Sequence, residues 1–404
     1  MTSQLPAGWD HDFDLYDPTY LEDPTAVWRA MRERCPVAHT DRRGGAVLPV
    51  RHDDITTIAR NPQTFSSRVL ESTGHIPSEG RELRMPPITS DPPDHGAERT
   101  VLLPLFNRTA VNALEASARR KAAALVDQIA GMHTVDAADA FARPIPMAVI
   151  VEMLGLPPAD TDQFSGWIVQ LLKEGQIDQD VRKSAINTIR QYFFGYVRGE
   201  REVGGPGVIT YLLGLRSAGV LDDEKVVGMC FLLLVAGIDT TWCTLGSCLW
   251  HLATHGEDRR RLAADYTLIP NAVEEFIRAY APITIARVAT EPADVAGCPV
   301  APGDRVLLPW GAANRDPGVF EDPDRVLIDR KRNPHLAFGL GIHRCLGSGL
   351  ARMEIRVAIE EWLRRIPEFA LDPDRPVRWT GGNVRGPESL YLRLDGSSGA
   401  GPLR

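Results

Sequence analysis

Most hydrophobic positions in this chain repeat at the spacing of one helical face, and only a few short stretches read as strand. A helical pattern opens around Val27, Met31 and Arg34; residues 46–50 (AVLPV) read as a short strand and residues 53–60 as another helix. Residues 66–90 hold Gly74, Pro77, Gly80, Pro86 and Pro87 and read as an irregular loop; one that long in a compact protein is usually functional or mobile. Pro92-Pro93 then sets a helix start, and His95 and Arg99, four apart, share one face of it. Residues 110–198 are mostly helical, with breaks expected at Pro144, Pro146 and Pro157-Pro158. Residues 222–255 read as one long helix with the apolar centre FLLLVAG, and the next helix carries Glu275 and Arg278 on one face. Residues 283–287 read as a strand, 299–309 as a hairpin around a Pro-Gly turn, and 382–387 as a second hairpin. The last amphipathic run is Leu346, Leu350, Met353, Ile355, Val357, Ile359 and Trp362, a long helix beginning just after Cys345.

Composition narrows the class. Hydrophobic content of 44% and charged content of 24% are those of a soluble globular protein. The length of 404 residues would allow two or three domains, but no linker divides the chain. We therefore expect one domain over 1–404, with 1–20 and 396–404 as flexible tails. A net charge of −8 argues against nucleic acid as a partner. The six cysteines form no C-x-x-C pair, which excludes a zinc ribbon and favours reduced thiols. The acidic, polar N-terminus shows no signal peptide or membrane anchor, and the most apolar run, 229–238, is too short to span a bilayer. The expectation is a cytoplasmic protein.

Candidate chemistry concentrates at 338–347, FGLGIHRCLG. A thiol at a helix N-terminus is biased toward thiolate by the unpaired N–H groups and the dipole, and glycines let backbone approach a large flat ligand closely. Cys345 could be a buried structural residue, a nucleophile with His343 as its base, or an axial ligand to haem iron. Gly339-Leu340-Gly341 is a weak dinucleotide fingerprint, because Arg344 stands where its third glycine belongs. In residues 238–241, an acid and two hydroxyls inside an apolar helix are costly unless used. Thr240 can bond the carbonyl four residues back and distort the helix. His251 and His255 lack the glutamate of H-E-x-x-H and read as surface or helix-end residues.

The pattern F-G-x-G-x-H-x-C-x-G over Phe338 to Gly347 resembles the haem-binding loop of the cytochrome P450 family. Four more segments resemble the family in the same order: 91–99 (D-P-P-[DE]-H-x-x-x-R), 236–241 ([AG]-G-x-[DE]-T-[TS]), 275–278 (E-x-x-R) and 312–326, where Val326 replaces a common Phe. The resemblance implies a mainly α fold, a helical bundle with a smaller β-rich region and haem b buried between two long helices. It implies Cys345 as the iron ligand, with Phe338 and Gly347 beside it. His95, Arg99, Arg287 and His343 would hold the propionates. Ala236 and Gly237 would face the haem, Gly237 leaving room for dioxygen; Thr240 would hydrogen-bond the reduced dioxygen and Asp239 relay protons to it. Glu275 and Arg278 would form a structural ion pair with Arg325 as third member. The helices within 110–198 would roof the pocket, and Leu232, Val235, Ile283, Ile285 and Val384 would face a hydrophobic substrate.

The implied activity is monooxygenation, as hydroxylation, epoxidation or O-dealkylation, with O2 as co-substrate. No flavin or iron–sulfur segment follows Arg365, so electrons would come from a separate ferredoxin and an NAD(P)H-dependent reductase. Residues 330–365 hold eight Lys or Arg against three Glu, a patch suited to an acidic ferredoxin. Two alternatives stay open: a hydrogen-peroxide-dependent peroxygenase on the same fold, against which Asp239 and Thr240 speak, and a non-enzymatic haem-binding sensor.

Overall fold

The computed structural model describes residues 8–70, 84–175 and 178–394. The principal helices are α1 (Asp94–Leu102), α2 (Arg108–Ile129), α3 (Pro144–Leu154), α4 (Gln179–Val197), α5 (Asp223–Ala236), α6 (Asp239–Thr254), α7 (Ile269–Ala279) and α8 (Ser348–Arg365). Helix α8 lies along α2, where Ala118 and Ala122 are fully buried and short enough to let the two backbones approach. Trp362 of α8 meets Phe141 edge to face at 4.9 Å. Pro144 and Pro146 open α3 rather than break a helix, because a first-turn proline removes no helical hydrogen bond. The helical stretch 110–198 is interrupted by a strand, Thr134–Asp136, which pairs with Tyr391–Arg393.

Residues 222–255 are two helices, α5 and α6, parted at Gly237-Ile238. The hydroxyl of Thr240 donates to the Ala236 carbonyl at 3.0 Å, and Thr244 to the Thr240 carbonyl at 2.8 Å. Such bonds compete with the ladder and bend it. The stretch Asp223–Thr254 is long and apolar enough to cross a membrane, but 78% of its most apolar window is buried inside the protein.

A second core lies under a five-stranded sheet: β1 (Val37–Thr40), β2 (Ala46–Pro49), β3 (Phe65–Ser66), β4 (Thr284–Ala289) and β5 (Arg305–Pro309), in the order β1-β2-β5-β4-β3. β2 and β5 run parallel at Val47 and Val306, and β4 and β5 antiparallel with Arg287 opposite Val306. The two arms of 299–309 therefore do not pair with each other. Cys298–Val300 pairs with Ala293–Val295 around Ala296-Gly297, both at positive φ, and the Pro-Gly turn leads into β5. Trp9, Phe13 and Leu15 are buried in this core, so the first tail is packed from Trp9 on. Residues 1–7, 71–83 and 396–404 of the expected tails and loop lie outside the described residues.

Two further expectations are corrected. His251 is fully buried, its ring between the Tyr280 hydroxyl at 2.7 Å and Asp258 at 2.9 Å; an apolar helix face can hold a histidine when both ring nitrogens are satisfied. Arg325 is not the third member of the Glu275 cluster. Its side chain is exposed and pairs with Asp322 at 3.1 Å, and only its carbonyl reaches Arg278, at 2.8 Å. Arg330 takes the place: its Nε lies 3.0 and 3.1 Å from the two Glu275 oxygens, while Arg278 donates to both at 2.8 Å. The Leu327 N–H and the Asn333 amide complete the shell. A carboxylate buried without exposure needs this many donors.

Candidate functional site

Between the α5–α6 break and the loop 338–347 lies a cavity of about 620 Å³. The loop is held by backbone. Gly339 and Gly341 have φ of 71° and 73°, and a Cβ at Gly341 would sit 2.6 Å from the Ala59 carbonyl oxygen, so glycine is required there. The Cys345 N–H donates to the Phe338 carbonyl at 2.8 Å, and the Arg352 guanidinium covers the Phe338 ring at 4.4 Å. This sets Cys345 open to the cavity, three residues before α8. Burial pushes the thiol up; the Gly347 N–H, Arg99, Arg344 and Arg352 pull it back only in part. The helix-terminus bias toward thiolate is thus outweighed by desolvation, whereas a bound metal cation would reverse the balance.

Donors gather at one end of the cavity. Arg99, Arg287 and His343 line it, and His95 stands behind, edge to face with His343 at 4.4 Å. The Nε2 atoms of both histidines are buried with no hydrogen-bond partner. Burial and the charge of Arg287 push His343 down to about 3, and burial likewise lowers His95. Arg287 is buried and pushed down to about 10. Arg99 donates to the Arg344 carbonyl at 2.6 Å. Unpartnered donors and desolvated cations at the end of an apolar cavity fit a large flat group with carboxylate tails, which would raise the histidines back.

Ala236, Gly237, Asp239 and Thr240 also line the cavity. Gly237 does not leave open space where its side chain would be: a Cβ there would lie 2.5 Å from Ile150 Cδ1, so the glycine admits α3. Asp239 is buried, with Cys243 Sγ at 3.9 Å, and burial pushes its carboxyl up to about 6 against the pull of Lys173 and Arg143. It can take and release a proton near neutral pH. Leu232, Val235, Ile283, Ile285 and Val384 all line the cavity, and Val384 bridges to Ile283 from the tip of the C-terminal hairpin.

The helices within 110–198 do reach the wall, through Leu171, Leu172 and Ile186, while Trp167 and Tyr192 pack around Phe164. Arg68, Arg182 and Glu354 add charged groups that no motif marks.

Residues 207–378 match the family model described as Cytochrome P450. The chain is 34% identical over 311 residues to the mycinamicin IV hydroxylase/epoxidase of Micromonospora griseorubida, covering 75% of this chain and 78% of that one. It is 31% identical over 399 residues to cytochrome P450 107B1 of Saccharopolyspora erythraea, covering 95% and 98%. Among solved structures, the myxobacterial cytochrome P450 CYP267B1 in complex with myristic acid superposes with a TM-score of 0.85 at 30% identity, over 94% of this chain and 98% of that one.

Proposed function

The chain belongs to the cytochrome P450 family, and from that premise we propose that this monooxygenase hydroxylates or epoxidises a hydrophobic small molecule in the cytoplasm, with electrons from a separate ferredoxin and its NAD(P)H-dependent reductase. Family members are haem-thiolate enzymes, and the bound haem b supplies the iron centre at which dioxygen is activated. In the proposed arrangement Cys345 Sγ is the iron ligand. His95, His343, Arg99 and Arg287 would receive the propionates, the two histidine rings packed edge to face. The Thr240 hydroxyl, held by the Ala236 carbonyl, and the Asp239 carboxyl hold and move protons on the oxygen side. Leu232, Val235, Ile283, Ile285 and Val384 exclude water and orient the substrate.

The observation that carries this reading is that Cys345, the donor end and the Asp239–Thr240 pair all face one cavity. Its walls come from both the helical core and the sheet, which supports reading 1–404 as one domain. The structure holding myristic acid supports a substrate with an extended apolar body.

The test is the carbon monoxide difference spectrum of the dithionite-reduced protein. We expect a strongly red-shifted Soret band that is lost in Cys345→Ser. A band typical of histidine-ligated haem, or no haem, would overturn the proposal. Turnover with peroxide alone that matched turnover with the reductase chain would shift it to a peroxygenase.

A further inference from the structure

The charge on the cavity wall is one-sided. Among the described residues its acids are Asp239 and Glu354. Burial pushes both up, Glu354 to about 8, so that this acid keeps its proton at neutral pH. Against them stand Arg43, Arg68, Arg99, Arg182 and Arg287. Arg99 and Arg287 belong to the donor end already described. Arg43 is committed elsewhere: its Nε and one Nη donate to the Asp14 carboxylate at 3.1 and 3.3 Å, and its guanidinium covers the Tyr16 ring at 4.3 Å. Arg68 and Arg182 have no part in the scheme above.

Both continue the apolar wall outward. Arg182 lies four residues before Ile186 on α4, on the same helical face, and Ile186 lines the cavity. Gly175 fixes its place, since a Cβ there would lie 2.7 Å from Arg182 Cβ. Arg68 is followed by Val69 and Leu70, which are buried and line the same cavity. The Leu70 carbonyl accepts from the Ala286 N–H at 3.1 Å and ties this segment to β4 beside Ile285. The Arg68 side chain is 74% exposed and still lines the cavity, so it stands where the cavity meets water.

Arg68 is loosely held. Its nearest approach to Asp91 is Nε at 3.5 Å, and the Asp91 oxygens already accept from the Ser66 hydroxyl at 2.6 Å and the Ser67 N–H at 2.8 Å. Its guanidinium makes no hydrogen bond among the described residues. An unpaired guanidinium fork matches the planar pair of oxygens of a carboxylate. One such group in an apolar pocket is enough to fix which end of a ligand faces outward.

We propose that Arg68 reads the head group of the substrate, and that the substrate is an amphiphile with a carboxylate at one end and an apolar body lying along Val69, Leu70 and Leu232. Arg182 adds positive charge to the same wall and favours entry of an anion. Oxidation of the body rests on the monooxygenase reading; recognition of the head rests on Arg68 alone.

Calorimetric titration of the whole protein with dodecanoate and with dodecan-1-ol, at low salt and neutral pH, tests this. The two probes share one body and differ in charge. We expect dodecanoate to bind about 10- to 100-fold more tightly, the worth of a charge-assisted hydrogen bond. Arg68→Gln should remove that preference and leave the Kd of the alcohol unchanged. Arg68→Lys, which keeps the charge without the fork, should retain part of it. Arg43→Gln should retain all of it, because that guanidinium is held by Asp14. Equal affinities for acid and alcohol in the wild type overturn the proposal, as does a preference that survives Arg68→Gln. A loss shared equally by both probes also overturns it, since Arg68 would then support the cavity and not read charge. The carbon monoxide spectrum of the same samples separates the two readings. A red-shifted Soret band without acid preference sinks only the head-group inference, and acid preference without that band sinks only the haem reading.

Discussion

Asp239 and Glu354 are both acids that burial keeps close to their proton, and they differ in where they titrate. Asp239, pushed up to about 6, exchanges near neutrality, so Asp239→Asn should lower product formation by about 10²-fold, the usual worth of a positioned proton donor. The pH profile of the wild type should break near that value, and a flat profile would remove Asp239 from the rate-limiting step. Thr240→Ala should leave NAD(P)H consumption running while product falls and peroxide rises; unchanged coupling would take Thr240 out of the mechanism. Folded Glu354 keeps its proton to about pH 8, whereas the unfolded chain releases it near 4.5. The folded state thus binds more protons across that window, and stability falls as pH rises through it, by at most about 1.4 kcal/mol per pH unit. Glu354→Gln has no such slope. Its stability relative to wild type should therefore climb from acid toward about pH 8, as read by urea unfolding at each pH.

At the scale of elements, two tight packings invite test. Glu275 holds α7 to the segment 325–333 through Arg278, Arg330 and the Leu327 N–H. Glu275→Ala or Arg330→Ala should cost about 3–5 kcal/mol, because each strands buried charge. Arg325→Ala, which removes only an exposed pair, should cost less than about 0.5 kcal/mol. Equal losses at 325 and 330 would contradict the assignment. At the α5–α6 break, Gly237→Ala should destabilise by about 1–3 kcal/mol through overpacking on Ile150. Ile150→Val, which removes the obstructing methyl, should recover part of that loss; no recovery would mean that the strain lies in the backbone.

Across the whole molecule, the basic stretch 330–365 is largely neutralised. Arg330 is paired with Glu275, Arg352 with Glu274, Arg356 with Glu115 and Glu360, and Arg364 and Arg365 with Glu361. Arg344 is exposed beside Cys345 with no carboxylate partner among the described residues. Reduction by an acidic ferredoxin should therefore slow with added salt, but with a shallow slope, and Arg344→Glu should slow it at low salt while Arg365→Gln leaves it nearly unchanged. A rate independent of ionic strength would remove electrostatic docking on this face.

What this sequence determined by itself was local. The loop around Cys345, the helix carrying His95 and Arg99, the Ala236–Thr241 motif and the Glu275–Arg278 spacing are short-range patterns, legible because a turn or a helical face needs few residues to specify it. The apolar wall at 232, 235, 283, 285 and 384 was instead what the family resemblance implied, and all five residues line the cavity. Tertiary structure decided the rest. Arg330 rather than Arg325 reaches Glu275, because a loop's path, not its residue types, selects which guanidinium is buried. Strand β5 pairs with β2 and β4 rather than folding back on its neighbour, since a central strand answers to the whole sheet. Gly237 admits Ile150, His251 is enclosed by Tyr280 and Asp258, and Glu354 faces the cavity unpartnered. Each outcome depends on residues far apart in the chain, and burial, which sets the cost of every polar group among them, exists only once those residues have met.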